Sequence, residues 1–181
     1  TLCRPFVVWA AERGLIAARL RVPHRQARHT PILSEADRIS LVRTLVTDNS
    51  LELRTRTAGL ILLLYGQPLS RICALRNENI VSDEEGLWLR IGQQRAPIPF
   101  PFAMVFQAYL DSERPNTRLY NKASPFLFPG QKVGNSISVN QMHGSLNKVG
   151  IDILPSRNKA LLEHVKTCPA PIVAEMLGYT A

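Results

Sequence analysis

The chain has 181 residues, 45% of them hydrophobic, and carries 22 Lys and Arg against 14 Asp and Glu for a net charge of +8. That length suffices for one sizeable domain, or for one domain plus a fragment. The basic balance points to an anionic partner, and no apolar run approaches the roughly 20 residues of a spanning helix, which argues against a membrane role.

Three cysteines, Cys3, Cys73 and Cys168, are far apart and form no CxxC pair. This pattern argues against a disulfide framework and a zinc site, so a reducing cytosolic setting is expected. The opening TLCRPFVVWAAERG has no h-region and no cleavage site, so no secretory leader is expected. The chain also opens without Met, so an excised fragment is expected.

Residues 3–14 read as a helix, with Phe6, Val7, Ala10 and Ala11 at helical spacing and Gly14 as the stop. This helix cannot bury itself alone, so residues 1–14 are read as the end of a preceding helical domain or an arm. Residues 15–32 form a basic linker punctuated by Pro23 and Pro31. Residues 1–32 hold six arginines against one acid, a net +5. Clustered charge of this kind tracks a phosphate backbone, and Arg19, Arg21, Arg25 and Arg28 are the expected contacts.

Ser34-Glu35-Ala36-Asp37 opens a second helix in the manner of a capping box, and Asp48-Asn49-Ser50 closes it. The stretch RTRTAGLILLLYGQPLSRICAL (54–75) is the centre of the chain. From Ala58 to Tyr65 it is apolar all round, which marks a buried helix. Gly66 stops it, and Pro68 suits the first position of a second short helix running to about Leu75. Residues 66 to 71 should therefore meet at one surface point on a rigid base.

VSDEEG after Ile80 reads as a turn. Leu87–Ile91 and Arg95–Phe100 then form a hairpin, whose return strand is an edge because of Pro97 and Pro99. Trp88 and the Phe126/Phe128 pair are assigned to the core, and Cys73 to a buried helix face. Helices follow at Phe102–Leu110, Ser138–Gly150, Arg157–Lys166 and Ala170–Leu177, with an apolar knot at Pro125–Pro129. His143 and His164 have no carboxylate partner at ligand spacing and are read as surface or helix-packing residues, so no metal and no cofactor is expected. The fold class is mainly α with a small β-hairpin or sheet (α+β).

Residues 33–181 resemble the catalytic domain of the tyrosine recombinase (phage integrase) family. Four stretches carry the resemblance. LLLYGQPLSRICAL is similar to the family's apolar helix, glycine turn and short helix, and WLRIGQQRAPIPF to its hairpin. PFLFPGQKVG with SVNQMHGSLNKVGI is similar to the run into its active-site helix. LPSRNKALLEHV with PAPIVAEMLGYT is similar to its HxxR helix and the helix ending in LGH. The resemblance implies a smaller helical DNA-binding domain before this one, with residues 1–14 as its end and 15–32 as the connection.

The family cuts DNA by attack of a tyrosine hydroxyl on a phosphodiester, with two arginines, a hairpin lysine and two His or His/Trp positions in support and no metal. Arginine suits the phosphate because its planar fork grips two oxygens at once. Carried onto this chain, the first arginine position falls on Pro68 and the HxxR histidine on Leu154, so both have lost their function. Arg157 matches the second arginine. The hairpin lysine position falls near Gln93 or Gln94, with Arg95 the nearest cation. The LGH histidine position is Tyr179, and the nucleophile position lies past Ala181. Arg71, Arg95 and Tyr179 are the candidate substitutes, and Lys159 joins Arg71 and Arg95 among the expected DNA contacts.

The resemblance implies a DNA-binding protein of recombination or integration, weak or inactive as given, with duplex DNA as partner, self-association on DNA and a cytoplasmic, nucleoid-associated place. Two alternatives stay open. One is an active divergent recombinase, using the substitutes or a nucleophile beyond residue 181. The other is a protein–protein module on the same scaffold.

Overall fold

A computed structural model describes residues 3–16, 31–112, 124–132 and 134–179. At its centre stands α3 (Leu53–Tyr65), in which every residue but Leu53 and Leu64 is buried. Leu60, Ile61, Leu62 and Leu63 are wholly shielded from water. Each such side chain contributes about 1.5–3 kcal/mol relative to exposure. A helix apolar on all sides needs neighbours on all sides. Here they are α2 (Glu35–Thr47), α5 (Phe102–Asp111), α6 (Val139–Lys148) and α7 (Ile153–Thr167).

Local chemistry fixes how these helices begin and end. Ser34 caps α2 by accepting the amide of Asp37 at 3.1 Å. At the other end, the Arg56 guanidinium donates to the carbonyls of Leu45 (2.7 Å) and Val46 (2.6 Å) and to Asn49 Oδ1 (3.0 Å). A buried cation thus satisfies the free carbonyls and the negative end of α2. Gly66 ends α3 in the left-handed region at φ +61°. A Cβ there would also stand 2.8 Å from Leu161 Cγ and 3.0 Å from the Arg157 carbonyl, so α3 turns hard against α7. The chain re-enters a helix at α4 (Leu69–Ala74), with Pro68 just before it as N-cap. The expected helix, turn and short helix are present.

The expected hairpin is part of a three-stranded antiparallel sheet in the order β1-β2-β3: Ile80–Asp83, Gly86–Arg90 and Arg95–Ile98. Residues 81–83, taken from sequence as the start of a turn, form a strand with Ile80 that pairs with β2 as Ile80 to Leu89 and Val81 to Trp88. Pro97 does sit on an edge strand, opposite Trp88, while β3 ends at Ile98, so Pro99 lies just past it rather than within the expected Arg95–Phe100 strand. Alternation puts Leu87, Leu89, Ala96 and Ile98 inside and Trp88 on the opposite face. This corrects the assignment of Trp88 to the core: it lies flat under the Arg95 guanidinium, 4.4 Å from ring centroid to Cζ.

Leu127 and Phe128 of the apolar knot are fully buried, Phe128 stacking on Tyr109 of α5 with centroids 5.5 Å apart. Cys73 is buried, which pushes its thiol up to about 11. His164 bonds the Leu64 carbonyl at 2.6 Å, and His143 lies at the surface beside Asn147, as expected of both. The first helix, α1 (Cys3–Glu12), buries Ala10 but leaves Phe6 and Trp9 exposed, so its apolar stripe is not sunk in the core. The last helix, α8 (Ala170–Leu177), ends at Gly178 as its sequence predicts. Among the described residues no helix is long and apolar enough to cross a membrane.

Candidate functional site

The elbow after α3 is where the ends of three helices converge. It is less open than its sequence suggests: Gly66, Gln67 and Leu69 are buried, and within 66–71 only Ser70 is fully exposed. Gln67 bridges the elbow to α8 by donating to the Leu177 carbonyl at 3.1 Å. Arg71, on α4, donates one terminal nitrogen both to Gln67 Oε1 (3.1 Å) and to the Leu177 carbonyl (2.9 Å).

Arg157 approaches from α7. This helix starts at Ile153, four residues before the predicted Arg157, because Pro155 is tolerated within a first turn. Arg157 and Leu154 therefore lie one helical turn apart. Arg157 Nε donates to the Gly66 carbonyl at 3.1 Å, and neither terminal nitrogen has a partner among the described residues. The same carbonyl accepts the Tyr179 hydroxyl at 2.7 Å. The Tyr179 ring in turn lies beside both guanidiniums, with Arg71 Cζ 5.5 Å and Arg157 Cζ 5.7 Å from its centroid.

Three of the four residues singled out from sequence as retained or substitute groups thus share one ring or one acceptor. No carboxylate pairs with Arg71 or Arg157 among the described residues, although six other Lys and Arg side chains do have acid partners. Two uncompensated guanidiniums with unused N–H donors can hold an oxyanion between them. Pro68 sits half-buried at the N-cap of α4, and Leu154 is 49% exposed on α7. Neither side chain has a proton to give or a donor to offer.

The remaining predicted cations are placed differently. Arg95 pairs with Asp83 and, at 3.8 Å, with Glu85, while stacking on Trp88. The indole N–H of Trp88 and the Arg95 charge hold the Asp83 carboxyl below its usual range, so this group is a closed unit on the sheet. Lys159 corrects its sequence reading as a DNA contact. It is only 8% exposed and is held between Glu35 (2.8 Å) and Glu163 (2.7 Å). Hydrogen bonds from Lys159 and Lys166 bring the Glu163 carboxyl down to about 2. Arg19, Arg21, Arg25 and Arg28 lie outside the described residues. Among the described residues no group of three His, Cys, Asp or Glu is placed to hold a metal ion.

The tip of the β2–β3 hairpin also reaches this site. Gly92 packs backbone to backbone on the end of α8: a Cβ there would lie 2.7 Å from the Gly178 nitrogen and 2.8 Å from the Met176 carbonyl. Gln94 adds a 3.4 Å contact to Glu175.

No protein-family model matches the sequence, and no curated protein matches it. Solved structures do match. The XerA recombinase superposes with a TM-score of 0.60 at 16% identity, over 90% of this chain and 61% of that one. The XerH site-specific recombinase bound to its difH substrate gives 0.60 at 15% identity, over 83% of this chain and 47% of that one. The Tn1549 transposon integrase in complex with circular intermediate DNA gives 0.57 at 15% identity, over 97% of this chain and 67% of that one. The fold is that of a tyrosine-recombinase catalytic domain. The chain spans about six-tenths of the length of XerA and about half that of XerH. In this recombinase fold, the elbow, α7 and the end of α8 bring Arg71, Arg157 and Tyr179 together.

Sequence reasoning missed the buried arginines at the start of α3. RTRT reads as a polar helix start, yet Arg54 and Arg56 are 7% and 6% exposed. No periodicity signals this, because what buries Arg56 is the end of α2, whose Leu45 and Val46 carbonyls it caps.

Proposed function

We propose that this chain binds duplex DNA as a tyrosine-recombinase-type protein, gripping a backbone phosphate with Arg71 and Arg157 at the Gly66 elbow. The observation that carries the reading is the Arg71–Tyr179–Arg157 group: two guanidiniums on one ring, unpaired with any acid among the described residues. The net charge of +8 supports it. So does the likeness to XerH and to the Tn1549 integrase, both seen in complex with DNA. On this reading residues 1–14 end a preceding helical domain, and the arginines of 15–32 track the backbone between domains.

Strand cleavage by this chain is weak or absent. Pro68 and Leu154 stand where the family places an arginine and a histidine. The loss of one donor to a developing oxyanion typically costs about 10²–10³ in rate. Binding survives such losses better than chemistry does, because it needs charge and fork geometry but no proton transfer.

The test is binding of a random-sequence duplex followed by fluorescence anisotropy across a salt series. Affinity should fall steeply with salt, and Arg71→Ala with Arg157→Ala together should flatten the slope by roughly 0.9, the contribution of the one phosphate they share. An affinity indifferent to salt, or a double variant that binds like the parent, overturns the reading.

A further inference from the structure

The end of α3 opposite the elbow is unfinished. Its N-cap residue, Glu52, makes no capping hydrogen bond with its side chain, which leaves the first-turn amides open there. Beside it lies a cavity of about 470 Å³ between α3 and α6, lined by Glu52, Arg54, Thr55, Gln141, Ser145 and Lys148. Arg54 is the unusual member. It is 7% exposed, and its one hydrogen bond is from Nη2 to Glu52 Oε2 at 3.1 Å. Its Nε and Nη1 are buried with no acceptor among the described residues. Interior guanidiniums normally have their donors met, since an unmet charged donor is costly. Glu52, at 57% side-chain exposure, is a counter-ion held at the rim, where water or another anion can replace it.

We propose that this cavity is an oxyanion site that takes one phosphate-type group. Arg54 and Lys148 supply the charge, and the first-turn amides of α3 with the Thr55 and Ser145 hydroxyls supply further donors. Convergent donors at a positive helix end are the usual basis of phosphate recognition. The incoming anion displaces Glu52 from Arg54. The site is separate from the elbow: thirteen residues of helix at about 1.5 Å per residue set them roughly 20 Å apart. It does not depend on the DNA-binding reading.

The experiment is an NMR titration with inorganic phosphate at constant ionic strength, following Arg54 Nε–H and the Thr55 and Ser145 amides. Saturable shifts confined to these groups are expected. Glu52→Gln removes the competing carboxylate and should tighten phosphate several-fold, whereas Lys148→Gln should weaken it several-fold. Both residues are exposed, and the amide spectrum of each variant checks that its fold is kept. The absence of a saturable shift, or one isotherm shared by all three proteins, overturns the site. The phosphate could be free or part of a DNA backbone, and a short duplex added to the phosphate-loaded protein separates the two. Displacement of the phosphate signal supports the site with DNA as source, and retention supports it with a free anion.

Discussion

Arg157 and Tyr179 meet on one acceptor, the main-chain oxygen of Gly66, at 3.1 and 2.7 Å. That oxygen belongs to the last residue of the α3 cap, where the helix presents its negative end. A cation from α7 and a hydroxyl from the end of α8 are therefore anchored at the point where the central helix stops. Arg71 completes the arrangement from α4, tied to the Leu177 carbonyl and lying against the same ring. Main-chain acceptors hold both guanidiniums in place and leave other nitrogens free, so the two side chains are fixed before any ligand arrives.

The two arginines should behave as a unit. Arg157→Ala and Arg71→Ala should each lower the salt slope of duplex binding by about 0.9. Their affinity losses should not add, because both side chains rest on Tyr179. Arg157→Lys should keep the slope and lose affinity, since a lysine retains the charge without the fork. Anisotropy at several salt concentrations checks all three.

The hairpin tip tests how the site is built. Gly92→Ala places a methyl group against the Gly178 nitrogen and the carbonyls of Glu175 and Met176, which cannot give way as a flexible side chain could. The hairpin must lift from α8, at about 1–3 kcal/mol, the usual cost of overpacking. Urea unfolding should show this as a lower midpoint. Arg71 and Tyr179 hang on the same end of α8, so duplex affinity should fall with it.

Acid should weaken the fold through Glu163. Its carboxyl goes from the ordinary 4.5 to about 2, under hydrogen bonds from Lys159 and Lys166. Glu35 shifts down for the same reason, through Lys159. Depressed carboxylates bind protons less readily in the folded state than in the unfolded one. Their stabilisation is complete above the ordinary carboxylate range and is lost as pH falls from about 4.5 towards 2. Lys159, shifted up by the same pairs, contributes until pH rises past the ordinary ammonium range. Thermal midpoints against pH should show the acid limb, and Glu163→Gln should flatten it. An unchanged limb in that variant assigns the acid sensitivity elsewhere.

What the sequence made legible follows from which signals are local. Ser34 as a cap, Gly66 and Gly178 as stops and the apolar run 58–65 act through their own neighbours, and each is found where expected. The alternation of Leu87-Trp88-Leu89 already implied that Trp88 faces away from the core, and size alone suggested otherwise. Strand β1 was hidden because only Ile80 and Val81 of its four residues are apolar and its partner lies across a turn. The start of α7 was hidden behind Pro155, which looks like a break and is a tolerated first-turn residue. Motif order pointed to Arg71, Arg157 and Tyr179, and the fold brings these three side chains together. The fate of Arg95 was not legible, because its partner Asp83 lies 12 positions away across the sheet; for Lys159 the i+4 acid Glu163 was a local signal, but Glu35, which closes the other side, is 124 positions away.

Arg95 should be quiet in DNA binding. It is already satisfied by Asp83, Glu85 and the Trp88 face. Arg95→Gln should leave the salt slope within error and cost the sheet about 1 kcal/mol, the scale of a half-exposed ion pair with a cation–π contact. A drop in slope equal to that of Arg157→Ala would place Arg95 on the phosphate backbone instead.

Tyr179 decides between packing and chemistry. If it packs, Tyr179→Phe keeps the ring beside both guanidiniums and loses one hydrogen bond. Stability should fall by about 1 kcal/mol, with duplex affinity little changed. Tyr179→Ala removes the shared ring and should weaken duplex binding as the arginine variants do. If it is a nucleophile, a nicked suicide duplex should leave a covalent adduct on the parent chain and none on Tyr179→Phe. We expect no adduct. The hydroxyl donates its proton to the Gly66 carbonyl, which cannot take it away. The guanidiniums are positioned on the ring rather than hydrogen-bonded to its oxygen. Among the described residues no base hydrogen-bonds the phenol, so nothing there generates the attacking oxyanion.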